Sequence, residues 1–94
     1  MGGGNMGQMM RQAQEAQKQI EKIKNELAET AVESTAGGGM ITVEMSGAYE
    51  LINIKIKPEA VDPDDVEMLE DLVIAAVNEA LTQVTALRTE KLPI

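Results

Sequence analysis

Apolar residues recur in three different rhythms along this chain, and each rhythm predicts an element. From Met6 to Leu27 the positions Met6, Met9, Ala13, Ala16, Ile20, Ile23 and Leu27 alternate spacings of three and four. That is a heptad seam, the narrow stripe of a helix of the coiled-coil kind. Gln, Glu, Lys, Arg and Ala fill the remaining positions and favour helix. Such a helix is about 35 Å long. Short strands cannot cover that length, so part of it is expected to project.

Between residues 29 and 57 the period falls to two. Val32 and Ser34 alternate with Glu33 and Thr35, Ile41, Val43 and Met45 with Thr42 and Glu44, and Ile52, Ile54 and Ile56 with Asn53, Lys55 and Lys57. Gly37-Gly38-Gly39 and Ser46-Gly47 supply turns, and Pro58 closes the last strand. The pattern predicts a three-stranded antiparallel meander with one polar and one apolar face, the apolar face covered by the second helix.

The third rhythm runs from Asp62 to Leu87. Asp62 is suited to cap a helix beginning at Pro63, and Asp64, Asp65 and Glu67 suit the positive end of its dipole. Its apolar positions span roughly 200° of the helix, about twice the arc that packing on one neighbour needs. The fold class is therefore α+β: helix, three-stranded antiparallel sheet, helix. The broad arc asks for a second subunit. A homodimer is expected, with Leu69, Val73, Ala76, Val77 and Ala80 at its interface. Residues 1–5 read as a flexible Gly-rich tail and residues 6–94 as one domain.

Composition supports the dimer. The 94 residues include one Tyr and no Phe, Trp or Cys. Rings supply much of a usual core, and a domain this small buries only ~60–65% of its chain's surface. No disulfide can compensate. There is no apolar run long enough to span a bilayer and no signal-peptide pattern, so a cytoplasmic protein is expected.

Candidate chemistry is sparse. With no His and no Cys, the commonest general base and strongest nucleophile are missing, which argues against an enzyme. Ser34 and Ser46 have no evident base. The carboxylates from Asp64 to Asp71 read as a solvated, dipole-complementing turn, and no metal or other cofactor is expected. Gly2 to Gly7 fits G-x-G-x-x-G in form, but no strand precedes it.

The net charge of −8 is uneven: residues 1–28 sum to +1 and residues 58–94 to −7. Arg11, Lys18 and Lys22 fall within roughly 40° of one another on helix 1, opposite the seam. They form either a phosphate-binding stripe or a solvated face knitted by Arg11–Glu15, Glu15–Lys18 and Lys22–Glu26 pairs. Lys24 lies at the seam's edge, and Arg88 and Lys91 suit the last turns of helix 2.

Two stretches carry a resemblance. MMRQAQEAQKQIEKIKNEL (Met9–Leu27) resembles the opening helix of the YbaB/EbfC nucleoid-associated family. EMLEDLVIAAVNEAL (Glu67–Leu81), with Asn78, resembles that family's second helix. The Gly37–Gly39 turn, the Ser46-Gly47 turn and the Lys57-Pro58 exit fit the same layout. The resemblance implies a bacterial homodimer shaped like tweezers, located in the nucleoid, whose helical arms bind double-stranded DNA. It puts Arg11, Lys18 and Lys22 in the binding role, with Lys24, Arg88 and Lys91 as weaker candidates. It implies no membrane and no small-molecule substrate. The alternative is a protein-interaction scaffold that uses its heptad helices and binds DNA weakly or not at all.

Overall fold

The computed structural model describes residues 3–93. Helix α1 (Gly3–Ala28) leads into strands β1 (Ala31–Ala36), β2 (Ile41–Ser46) and β3 (Leu51–Ile56). A 3-10 turn (Pro58–Ala60) then precedes helix α2 (Val66–Lys91). The strands form an antiparallel sheet in the order β1-β2-β3. The α+β architecture is the expected one. Helix α1 starts three residues earlier than its seam, so Gly3–Asn5 are helical. Once a helix is nucleated, each further residue adds a bond, and even poor formers can join. Met1 and Gly2 lie outside the described residues.

The start of α2 differs from expectation. Asp65, not Asp62, caps it, accepting a hydrogen bond from the Met68 amide at 3.2 Å. Asp62 instead accepts from the Asp64 amide at 3.0 Å, and its carbonyl accepts from the Asp65 amide at 2.9 Å. Asp-Pro-Asp-Asp is thus a β-turn with Pro63 at its second position, a place proline fills as well as the first turn of a helix.

The core is small. Ile41, Val43 and Met45 of β2 meet Ala76, Ala80 and Val84 of α2, with Ala60 at one end. The alanines let α2 approach closely, and buried Ser34 of β1 donates its hydroxyl to the Ala76 carbonyl. Helix α2 packs on β1 and β2 and leaves β3 beyond its edge. The expectation that α2 covers the whole apolar face is therefore corrected: one helix spans only two strands. Leu51, Ile52 and Ile56 of β3 stay exposed. Ile52 is also the extra residue of a bulge, since Glu44 faces Asn53 and Met45 faces Leu51.

The first two turns are set by different needs. Gly37, Gly38 and Gly39 all have positive φ (64°, 68° and 92°), which glycine adopts without steric cost. Gly47 is required for space. The last turn of α1 lies on it, and an added Cβ would stand 2.9 Å from the Leu27 carbonyl carbon. The Gly47 amide donates to the Thr30 carbonyl at 2.8 Å. Beyond this junction α1 leaves the body. Leu27 is buried, Ile20 and Ile23 are half-buried, and the seam from Met6 to Ala16 is exposed.

The protein is accordingly a rod of 77 × 17 × 16 Å with a radius of gyration of 20.4 Å. A compact domain of this length would have a radius of about 12 Å. Gly47→Ala should push α1 off its seat and cost about 1–3 kcal/mol in urea denaturation. Gly38→Ala, where nothing lies near the new methyl, should cost only the local strain, about 1 kcal/mol.

Candidate nucleic-acid interface

The six cations singled out in the sequence fall into three settings. Arg11, Lys18 and Lys22 are exposed on the projecting length of α1. Their 3.6-residue phase sets them opposite the heptad seam, so they form one outward stripe. Lys24 is exposed beside Gln17, Ile20 and Glu21 along the seam's edge. Lys91 is exposed at the rim of a hollow of about 460 Å³ between the ends of the two helices, lined also by Ile23, Glu26, Leu27 and Leu87.

Arg88 is different. Its Nη1 donates to the Gly47 carbonyl at 2.8 Å, and its guanidinium carbon lies 5.3 Å from the centre of the Tyr49 ring. That guanidinium ties α2 to the β2–β3 turn and stands apart from the outward stripe. Tyr49 has a φ of 63°, unfavourable for a residue with a side chain. Its hydroxyl lies 2.6 Å from the Thr85 hydroxyl, and its ring takes up the Arg88 cation. Ser46 Oγ accepts from the Ala48 and Glu50 amides in the same turn. Ser34 and Ser46 thus have structural partners. Sequence reasoning passed over the Gly47–Tyr49–Arg88 junction; its one signal was the chain's single aromatic residue beside a Ser-Gly turn.

The expected interface residues also divide. Ala76 and Ala80 are fully buried within one chain, so they have no surface to offer a partner. A short side chain on the sheet-facing line of α2 is what lets the backbones approach. Leu69, Val73 and Val77 are only half-buried. Leu69 and Val73 line an open apolar groove of about 450 Å³ with Ile56 of β3 and Ile74. Ile74 and Leu81, not anticipated, are 56% and 36% exposed on the same flank of α2. No helix among the described residues is long and apolar enough to cross a membrane.

Comparison with known proteins identifies the family and the fold. The chain is 60% identical over 82 residues to a nucleoid-associated protein of Alkaliphilus metalliredigens, covering 86% of this chain and 72% of that one. It is 55% identical over 83 residues to a nucleoid-associated protein of Moorella thermoacetica, covering 88% and 80%. The crystal structure of an uncharacterized protein from Helicobacter pylori has the same fold, with a TM-score of 0.78 at 22% identity over 96% of this chain and 91% of that one. The sequence profile of the YbaB/EbfC DNA-binding family matches residues 1–93, and the chain belongs to that family.

Proposed function

We propose that this is a nucleoid-associated DNA-binding protein that acts as a homodimer and holds duplex DNA through phosphates. The observation that carries this reading is the exposed stripe of Arg11, Lys18 and Lys22 on an arm that projects from an acidic body. Residues 58–94 sum to −7, so the body repels a polyanion while the arm can approach it. The attraction acts within about a Debye length of 8–10 Å. An arm that holds its cations away from the body therefore lets local charge outweigh net charge. Family membership and the relatives' names support the same assignment, and they support the nucleoid as its location.

The dimer is supported by the surface left uncovered. The chain exposes 6958 Å², against about 5,300 Å² for a compact monomer of this size. Ile56, Leu69, Val73 and Ile74 lie together in one groove, and an apolar groove of this kind between sheet edge and helix fits a second copy. Two copies double the stripe to six cations. Glu15 and Glu26 compete for some of these, so about half engage, giving a slope of log K against log salt near −3.

Three variants test this reading. Ile74→Asp changes a side chain already exposed in one chain, so the protomer should keep its helix content. Its dimer should be lost in sedimentation at micromolar concentration; an unchanged dimer would place the interface elsewhere. Lys18→Glu with Lys22→Glu should abolish binding to unrelated duplexes alike at moderate salt, since phosphates carry no direct base information. In contrast, Arg88→Ala should lower stability by about 1–3 kcal/mol and leave the salt slope unchanged. Fluorescence anisotropy reads the affinities. Undiminished binding by the double variant would favour the scaffold alternative.

A further inference from the structure

We infer that α1 is also a self-association element: the arm of one molecule pairs antiparallel with the arm of a second, joining two dimers. The seam from Met6 to Ala16 lies open, and the hollow at the arm's base, lined by Ile23, Leu27 and Leu87, lies at its other end. One occupant explains both. In an antiparallel pair, heptad positions of the first kind face those of the second. The register that does this over the projecting length sets Met6 against Ile23, Met9 against Ile20, and Ala13 against Ala16, and the two-fold axis repeats each contact. Large side chains then meet large ones, and the small pair at the centre lets the backbones approach. Met6 of the second copy reaches the hollow at Ile23, where its unbranched side chain can fill an irregular space.

The matching sizes along the seam fit a second copy of this chain, and charge selects this orientation. The seam is flanked by Asn5, Gln12 and Gln19 on one side and by Met10 and Gln17 on the other, so an oppositely charged partner helix gains nothing. The charged flanking residues Lys24 and Glu26 come to lie near Gly3 and Asn5 of the other copy. A parallel pair would instead bring two acidic bodies together at one end and leave the hollow open. Antiparallel pairing sends the bodies to opposite ends. It also leaves Arg11, Lys18 and Lys22 facing outward on both arms, so paired arms can still meet phosphate. The pairing needs no DNA, and it rests on the homodimer reading only for the number of chains joined.

The chain has no Cys, so engineered thiols report the register directly. Met6→Cys and Ile23→Cys proteins, mixed under oxidised glutathione, should form a mixed disulfide. Neither should form a disulfide alone, since in this register like positions lie about 26 Å apart along the axis. Adding Ala13→Glu to both should cut the mixed product at least tenfold while circular dichroism stays unchanged, because Ala13 is exposed in the single chain. The mixed product should persist when Ile74→Asp is added to both proteins, which separates arm pairing from the dimer of the bodies. Disulfides formed by each single variant would show a parallel pair and overturn the proposal. No mixed product, or a yield indifferent to Ala13→Glu, would overturn it as well.

Discussion

The last turn of α1 rests directly on the backbone of Gly47, and the direction of the arm follows from that contact. Three attachments converge on this one residue. Leu27 packs over it, its amide binds the Thr30 carbonyl, and its carbonyl receives Arg88 from α2. The arm, the β2–β3 turn and the end of α2 are therefore fixed to one another. Tyr49 holds an unfavourable backbone conformation in that turn, and its hydroxyl and ring bonds to α2 offset the strain. A methyl group on Gly47 would separate these elements although no buried apolar area is removed.

A second constraint is area. One helix can lie over two strands, so a three-stranded sheet under α2 leaves β3 open. The same geometry explains why the broad apolar arc of α2 divides. Ala76, Ala80 and Val84 face the sheet and are fully buried, while Ile74 and Leu81 point past its edge. The uncovered flank and the bare sheet edge are two views of one shortage. A larger side chain at Ala76 would not relieve it, because that line is already filled.

Much of this was legible in the residues. The heptad of α1 and the alternation of β2 are local, and periodicity reports local structure well. What failed were features fixed by distant partners. Asp62 and Asp65 are equally good caps, and Pro63 fits a turn as well as a helix start, so residue type alone does not choose between them. Alternation in β3 reads as half-buried, yet it cannot say which chain does the covering. Ala76 and Ala80 lie on the apolar arc like Val73 and Val77, and only the position of the sheet separates core from flank. Arg88 reads as a cation suited to a helix end, whereas its partner is 41 residues away. The outward stripe of Arg11, Lys18 and Lys22 was predictable because helical phase alone sets it.

An arm anchored at one end is a lever. Helix α1 has 26 residues, so it reaches about 39 Å from its seat. A rotation of about 10° at the Gly47 contact would carry the tip sideways by about 7 Å. Reading a base edge demands placement to within about 0.5 Å, which so long a lever does not preserve. A phosphate attracts a lysine over many ångströms and accepts it from many angles. Under the proposed function, the length of the arm thus suits contact with the backbone of DNA over recognition of its sequence.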